Sequence, residues 1–278
     1  MENTSGKAYI WGNRTILIMC YDISFTINVR QLSDYFPEMV FDDRITMDLD
    51  ITAHMQGHAH ARYPILFQPK DELLVHCKLM EWGIIPFYVT DKQKFARQRI
   101  SMLNIRSEKI MDDPKSYWHK IRNRRCLVPV TGFYEHRYIA GMKNKIPYLV
   151  QVREQPIFFL PGLYSVADIK NDAGETEKVW TYALITREAV ENKVMQQIHN
   201  SGEDECRMPL LLPFELAKKW VTGELNEAQY RAVLDYEMPA NALNYHTVYT
   251  IRSNKERPDG KRKDEEYDWG EKVPAIKE

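Results

Sequence analysis

The chain has 278 residues, of which 44% are hydrophobic and 28% are charged, and its formal net charge at pH 7 is −1. These values are typical of a globular protein with one large domain or two small ones, and the charge does not by itself indicate a nucleic-acid-binding protein. No apolar run approaches the roughly 20 residues that span a bilayer, and no secretory signal begins the chain, so we expect a cytoplasmic protein without a membrane segment.

Short runs of β-branched and aromatic residues, bounded by Gly, Pro or Asn, predict strands. In chain order these runs are Cys20–Val29, Leu127–Tyr134, Tyr148–Val152, Ile157–Leu163 and Val179–Thr186. Apolar residues at helical spacing, with Pro and Gly at some of the ends, predict helices at Val29–Phe36, Pro213–Gly223 and Leu225–Asp235. Because the elements do not alternate as βαβ units, we predict an α+β fold with mainly antiparallel strands.

The domain organisation follows from composition. No Gly-rich or Ser-rich linker divides the body of the chain, so we predict a single domain over residues 19–252, preceded by an extension at residues 1–18. Residues 253–278 are strongly charged and lose their apolar rhythm. They predict a tail that either lies on the surface or is disordered.

The stretch "LIMCYDISF", Leu17–Phe25, places Met19 and Cys20 together at the head of the first predicted strand. Either this is an accident, or Cys20 is the first residue of the working protein, with a free amine beside its thiol. The four cysteines, Cys20, Cys77, Cys126 and Cys206, show no C-x-x-C pair or regular spacing. This pattern argues against a zinc site and a disulfide scaffold, and we predict neither metal nor cofactor.

Lys and Arg are frequent between Lys92 and Arg125, with few acidic residues among them. The stretch is either a solvated charged face or a basic groove for phosphates, interleaved with aromatic residues such as Tyr117 and Trp118. The sequence leaves both alternatives open.

Within that stretch, "NIRSE" places Asn104, Arg106 and Glu108 at alternate positions. In an extended segment the three side chains would point to one face. They would form either a group that orients a polar substrate and grips a phosphate or an exposed, salt-bridged ladder.

Three other residues have a structural and a functional interpretation. Trp82, before Gly and Pro in "MEWGIIPF", packs in a core or offers a platform on which a base stacks. Glu135 in "GFYEHR" points to water, or lies against apolar surface that disfavours its charged form and suits a general acid. His199 matters for catalysis only if a nucleophile lies close to it in space.

Several motifs follow one another along the chain: Met19-Cys20, W-G-I-I-P from Trp82, N-I-R-S-E from Asn104, R-C-L-V-P-V-T-G-F-Y-E from Arg125, G-L-Y from Gly162, and His199 before R-M-P. Together they resemble the SRAP family, the SOS-response-associated peptidases, a group that senses abasic sites in single-stranded DNA. The resemblance covers Met19 to about Leu212. It implies a barrel-like arrangement of curved β-sheets with flanking helices.

In that family the cysteine follows the initiator methionine, and removal of the methionine exposes it. The resemblance implies four catalytic residues: Cys20 as the nucleophile, with Asn104, Glu135 and His199. It also implies three DNA contacts: Trp82, Arg106 and Arg207.

The chain departs from the family pattern at three places. Tyr21-Asp22 follow the cysteine where many members have Gly-Arg, so one expected phosphate contact is missing. His136 stands where a tryptophan often follows the glutamate. The acidic "NSGEDEC" lengthens the gap between His199 and Arg207, which places repulsive charge near the expected DNA surface.

The implied activity is covalent capture of abasic sites as a thiazolidine DNA–protein crosslink, with autoproteolytic exposure of Cys20 and AP-lyase activity. Because this chemistry needs a free amine, either translation starts at Met19, which we favour, or the protein cuts its own Met19–Cys20 bond. The alternatives are a general cysteine peptidase using Cys20 and His199, and a non-catalytic single-stranded DNA-binding module. We expect a monomeric DNA-damage (SOS response) protein in the cytoplasm, associated with the nucleoid.

Overall fold

The structure, a computed structural model, describes residues 21–45, 52–171, 173–202, 204–270 and 272–277. The predicted nucleophile Cys20 and the extension before it lie outside the described residues. The strands are β1 (Asp22–Phe25), β2 (Val40–Phe41), β3 (Thr52–Gln56), β4 (Arg62–Phe67), β5 (His76–Trp82), β6 (Asn104–Arg106), β7 (Arg125–Val130), β8 (Gly132–Arg137), β9 (Ile146–Val152), β10 (Phe158–Lys170), β11 (Thr176–Glu188), β12 (Arg207–Pro209) and β13 (Leu243–Thr247).

Short helices connect the strands. The α-helices are α1 (Lys92–Arg99), α2 (Glu108–Met111), α3 (Tyr117–Lys120), α4 (Lys193–Ile198), α5 (Phe214–Thr222) and α6 (Glu227–Leu234). The 3-10 helices are Val29–Asp34, Gly57–Ala59, Ile100–Met102 and Ala240–Ala242. No helix among the residues described is long and apolar enough to cross a membrane.

One sheet closes on itself as a five-stranded barrel. Its strands follow the order β11-β10-β7-β4-β5, and β5 returns to β11 in parallel, with Tyr182 beside Trp82. Gly162 lies on β10 where it is paired with both β7 and β11. A Cβ at this position would meet the Ala183 carbonyl oxygen at 2.5 Å and Cys126 Sγ at 3.1 Å. The glycine of the G-L-Y motif therefore allows the barrel strands to approach closely.

The other sheet is antiparallel, in the order β13-β9-β8-β1-β3. The predicted strand Leu127–Tyr134 is divided between the two sheets, because the chain passes from β7 to β8 at Thr131. The Thr131 N–H donates to the Ser24 carbonyl at 2.8 Å, and Thr131 Oγ1 accepts the Thr26 N–H at 3.2 Å. This passage carries Glu135 out of the barrel and alongside the start of β1.

The predicted α+β class, with curved, mainly antiparallel sheets and flanking helices, is confirmed by this architecture. One continuous cluster of buried side chains runs from Tyr21 to Leu243. Helices α5 and α6 lie within the ranges predicted for them. The segment predicted as a helix from Val29 is instead a 3-10 helix, which begins with a capping box between Asn28 and Gln31.

The charged C-terminal segment, described at residues 253–270 and 272–277, folds back onto the antiparallel sheet. Trp269 Nε1 donates to the Val248 carbonyl at 3.1 Å, and the Trp269 ring stacks on Tyr249 with 6.2 Å between centroids. Arg257 is 6% exposed, and its guanidinium donates to three backbone carbonyls of the same segment, those of Arg262, Glu265 and Glu266. The structure therefore favours the surface alternative over disorder for this segment.

Candidate active site

A cavity of about 390 Å³ opens beside the end of β8. The described residues that line it come from distant parts of the chain and include Tyr21, Glu135, His136, Lys145, His199 and Arg252. Two of the four predicted catalytic residues, Glu135 and His199, are thus brought together, although 64 positions separate them in the sequence. Tyr21, the residue after Cys20, borders the same space.

Glu135 is held on the central strand of the antiparallel sheet and is 4% exposed. Its charge acts on Lys145 across the cavity. Burial lowers the pKa of Lys145, and although Glu135 raises it, the charge of Arg252 adds to the lowering and the net shift is downward. Lys145 Nζ also donates to the Ser201 carbonyl at 3.4 Å. A buried carboxylate and two cations therefore share one small space.

His199 caps the C-terminus of α4 and is 8% exposed. Its carbonyl accepts the Cys206 N–H at 2.7 Å, and its Nδ1 accepts the Arg207 N–H at 3.4 Å. Because Nδ1 acts as an acceptor, the neutral ring carries its proton on Nε2. The backbone contacts fix the ring against the cavity wall, with Nε2–H as the group that can donate.

A buried ion pair joins the first strand to the segment after β13 at this cavity. Asp22 on β1 is fully buried. It accepts from Arg252 Nε at 2.9 Å and from Arg252 Nη2, and it accepts from His54 Nε2 at 2.6 Å. Burial alone would raise the pKa of this carboxyl, but the bonds from His54 and Arg252 outweigh burial and lower the pKa.

His136, next to Glu135 on β8, also lines the cavity. Burial, and after it the positive charge of Arg252, lowers the pKa of His136 from 6.5 to about 4. The ring is therefore neutral at neutral pH. At the position where the family resemblance led us to expect a tryptophan, the chain has an uncharged aromatic ring.

Asn104 and Arg106 lie on β6, which pairs with β11. Asn104 is half-buried and is not among the described residues that line the cavity. The Arg106 side chain is 52% exposed and forms an ion pair with Asp204 in the acidic insertion. The expectation that Glu108 shares their face does not hold, because β6 ends at Arg106 and Glu108 begins helix α2.

Trp82 lies inside the barrel rather than on its surface. The side chain is fully buried, its Nε1 donates to the Leu103 carbonyl at 3.0 Å, and its ring stacks on Tyr182. No face is left for a nucleobase. This placement corrects the expectation of a direct DNA contact from Trp82.

Arg207 is buried as well, with 3% exposure. Its Nη1 and Nη2 donate to Glu108 Oε1 at 2.7 Å and Oε2 at 3.0 Å, and Nη2 also donates to the Thr186 carbonyl at 3.1 Å. Burial opposes ionisation of Glu108, but the bonds from Arg207 outweigh it and lower the pKa of Glu108 to about 2. The guanidinium is thus a structural clamp between strand β12 and helix α2, which corrects the expectation of a DNA contact here.

An exposed aromatic surface lies just after the W-G-I-I-P motif. Phe87 and Tyr88 are 47% and 64% exposed, and Phe87 lies against Tyr117 with 5.8 Å between ring centroids. The Arg124 guanidinium lies 5.8 Å from the centre of the Phe87 ring. We name Phe87, Tyr88, Tyr117 and Arg124 the aromatic surface. The sequence signal for it is the pair of aromatic residues that directly follows Pro86.

The basic stretch between Lys92 and Arg125 contains both buried and exposed side chains, and a phosphate-binding role for the exposed ones stays a prediction. Arg99 is 2% exposed and pairs with Glu81 at 2.9 Å, and Arg125 donates to the Gly223 carbonyl. Other basic side chains are exposed, namely Lys94, Arg97, Arg106, Lys109, Lys115 and Lys120. Part of the stretch stabilises the fold, and part forms a basic surface that includes Arg106.

The sequence did not identify Asp22, Lys145 or Arg252 as site residues. Asp22 was noticed only as a departure from Gly-Arg, and nothing local marks Arg252, whose ion-pair partner is 230 positions away. A buried aspartate in an apolar strand does call for a cationic partner. The sequence could not show which of the many basic residues supplies it.

The family model described as SOS response associated peptidase (SRAP) matches residues 19–254. The chain belongs to the SRAP family. It is 24% identical over 170 residues to an abasic site processing protein of Saccharomyces cerevisiae, covering 61% of this chain and 40% of that protein. It is also 24% identical over 196 residues to the abasic site processing protein HMCES of Mus musculus, covering 63% and 52%. The chain thus aligns with about half, or less, of the length of these curated relatives.

Solved structures share the SRAP-family fold described here. A crystal structure of a protein from Bacteroides thetaiotaomicron has a TM-score of 0.71 at 26% identity, covering 88% of this chain and 97% of that chain. A crystal structure of a protein from Bordetella bronchiseptica has a TM-score of 0.65 at 19% identity, covering 83% and 100%. The second likeness concerns the fold alone.

Proposed function

We propose that this SRAP-family protein captures abasic sites in single-stranded DNA covalently, through the amine and thiol of an N-terminal Cys20. The observation that carries the proposal is the cavity in which Tyr21, Glu135 and His199 meet. Tyr21, the residue bonded to Cys20, lines this cavity, and since successive Cα atoms are about 3.8 Å apart, we propose that Cys20 acts there. The names of the relatives from Saccharomyces cerevisiae and Mus musculus support the substrate class.

The chemistry needs a ring-opened abasic sugar, which presents an aldehyde. The Cys20 amine adds to the aldehyde carbon, and loss of one water gives an imine. The Cys20 thiol then adds to the imine carbon and its proton passes to the nitrogen, which closes a five-membered thiazolidine. The terminal amine is suited to this step because its ordinary pKa lies near 8, about two units below that of lysine.

Glu135 and His199 are the proposed proton-transfer groups. Glu135 is buried on β8 and lies near Lys145 and Arg252, on both of which its charge acts, so it is proposed to exchange protons with a sugar held in the cavity. His199 would donate from Nε2 to the sugar oxygen that leaves as water. Asn104 is proposed to hold the amine or the sugar oxygens from β6.

The DNA strand is proposed to approach along the exposed basic and aromatic groups. Tyr88 and Phe87 offer faces on which bases flanking the abasic site stack, and Arg106 supplies a phosphate contact once it leaves Asp204. An abasic nucleotide is already unstacked, so its presentation to the cavity costs little.

An internal cysteine cannot perform this reaction, because its nitrogen is part of an amide. The active form is therefore proposed to begin at Cys20, after either a start at Met19 or self-cleavage of the Met19–Cys20 bond. AP-lyase activity is proposed as a side reaction of the imine, through β-elimination of the 3′ phosphate. Intact mass of protein made from its own gene shows whether the chain begins at Cys20. Retention of residues 1–19 in a Cys20→Ala variant would indicate self-cleavage, and their absence from that variant as well would indicate a start at Met19.

The decisive experiment incubates the Cys20-initiated protein with a single-stranded oligonucleotide that carries one abasic site, followed by a denaturing gel. We expect a slow-migrating crosslink with the abasic strand and none with the intact strand. The matched control keeps residues 1–19 attached and unprocessed, and it should form no crosslink. A crosslink of equal yield from this extended protein would overturn the mechanism.

The Cys20→Ser variant tests the role of the amine of residue 20 without that of the thiol. It keeps the terminal amine, so an imine still forms, but closure through sulfur is lost. We expect a labile adduct that borohydride traps, and more strand cleavage. Turnover of unrelated peptides that depends on Cys20 would instead indicate a general peptidase, and binding indifferent to the abasic site would indicate a non-catalytic module.

A further inference from the structure

Arg252 is a cavity residue to which the proposed function assigns no contact with the substrate. It comes from the segment after β13, lines the same space as Glu135 and His199, and has a side chain that is 43% exposed. It is therefore neither a core residue nor an ordinary surface arginine. Its guanidinium faces the place where a captured sugar would lie.

Asp22 fixes the position of this guanidinium. The carboxylate is fully buried and receives Arg252 Nε and Nη2 from one side and His54 Nε2 from the other. The bonds to Asp22 use two of the five N–H groups of the arginine. A guanidinium held in this way keeps its planar fork oriented, with donors left for a second anion.

The charges in the cavity favour an anion at this position. Lys145 lies close enough to Arg252 for their repulsion to lower the pKa of Lys145. Glu135 is the acidic side chain among the described lining residues, while Asp22 is sealed beneath Arg252. An anion between Arg252 and Lys145 would relieve their repulsion, and at a half-buried site such a contact is stronger than in bulk water.

We propose that Arg252, positioned by Asp22, binds the phosphate group attached to the sugar that the cavity receives. The inference rests on the proposed function and names the part of the substrate that this residue recognises. It predicts that the protein distinguishes a phosphorylated deoxyribose from a plain one, without any contribution from DNA bases or a longer backbone.

The test uses two small aldehyde sugars, 2-deoxyribose 5-phosphate and the uncharged 5-O-methyl-2-deoxyribose, with the Cys20-initiated protein. Because the 5-oxygen is blocked in both, neither sugar closes to a pyranose ring, and they differ in the charge of the substituent. The rate of adduct formation is followed by intact mass at low salt. The unsubstituted protein should react faster with the phosphorylated sugar, by about tenfold, the size expected for one charge-assisted contact. Arg252→Gln should bring the ratio of the two rates close to one.

Arg44→Gln is the matched control. Arg44 also pairs with an aspartate through Nε and Nη2, each at 3.2 Å from Asp42, and its side chain is 55% exposed, but it is not among the described residues that line the cavity. This variant should keep the ratio of the unsubstituted protein. Because Arg252→Gln leaves Asp22 buried with one partner fewer, the double variant Asp22→Asn/Arg252→Gln removes the unmatched charge and gives the same reading if the single variant does not fold.

The outcomes separate the two proposals. If the unsubstituted protein forms an adduct neither with these sugars nor with the abasic oligonucleotide, the proposed function fails. If it crosslinks the oligonucleotide but forms no adduct with either sugar, recognition of the sugar phosphate by Arg252 is refuted. If adducts form but the phosphate gives no advantage, or if the advantage survives in a folded Arg252 variant, the role of Arg252 is wrong and covalent capture stands.

Discussion

Replacement of Arg207 by methionine tests whether this residue holds the fold or the DNA. The methionine keeps most of the apolar stem in a site that is 3% exposed and removes the guanidinium. Glu108 then loses both bonds from Arg207. The Thr186 carbonyl keeps a partner, because the Ser107 N–H also donates to it at 2.9 Å.

The expected loss of stability is about 2 kcal/mol. Breaking a fully buried ion pair costs roughly 3–5 kcal/mol, but the Glu108 side chain is 46% exposed, so water partly replaces its lost bonds. The pair lowers the pKa of Glu108 from 4.5 to about 2. The ion pair therefore stabilises the fold fully above pH 4.5, the pKa of Glu108 in the unfolded chain, and this stabilisation is lost as the pH falls toward 2. The difference in stability between the two proteins should therefore narrow below pH 4.5.

Thermal unfolding measures how much Arg207 stabilises the fold, and the salt dependence of binding to a single-stranded oligonucleotide measures whether it contacts DNA. Arg207→Met should lower the melting temperature by roughly 6 °C and keep the slope of log affinity against log salt. Arg106→Met is the paired control. Because Arg106 is exposed, this variant should lose little stability, but its slope of log affinity against log salt should fall by about one unit. An Arg207→Met protein that melts normally but loses slope would refute the structural role.

Three further predictions concern the site and the barrel. Glu135→Gln should slow capture on the order of a hundredfold in a gel time course, while anisotropy shows unchanged binding of intact single strands. Folding lowers the pKa of His136 from 6.5 to about 4, so between these two pH values the unfolded protein binds a proton that the folded protein does not. The free energy of unfolding should therefore fall as the pH drops from 6.5 to about 4. In His136→Gln, urea titrations should show this fall reduced by up to about 3 kcal/mol. Gly162→Ala should destabilise by about 1–3 kcal/mol in the same titrations, because its Cβ would meet the Ala183 carbonyl at 2.5 Å, and an unchanged midpoint would contradict the close approach.

The sequence predicted best what local pattern determines. Antiparallel strands, the bounds of α5 and α6, and the fold class follow from alternation, β-branched residues and the Pro and Gly at helix ends. It could not show that β10 and β11 extend far beyond their apolar cores, because residues such as Asp168 and Glu177 are polar and yet remain paired in the ladder.

The interior and the surface of the barrel were harder to distinguish. Trp82 and Phe87 are both aromatic residues of the stretch "MEWGIIPF", and only closure of β5 onto β11 buries the first and leaves the second exposed. Arg106 and Arg207 are likewise indistinguishable by residue type. Arg106 is exposed and pairs with Asp204, whereas Arg207 is buried and pairs with Glu108. The sequence does not reveal either pair, because the partners are about a hundred positions apart.

The bond between Asp22 and Arg252 also sets the order in which the site can be assembled during synthesis. Its partners are 230 positions apart, and at about 5–20 residues per second the ribosome releases the start of the chain many seconds before the arginine. Throughout that interval a reactive terminus would exist without its arginine partner. Truncation before Arg252, or a fusion that pulls the C-terminal segment away, should therefore leave Asp22 without this counter-charge even where the barrel has already formed.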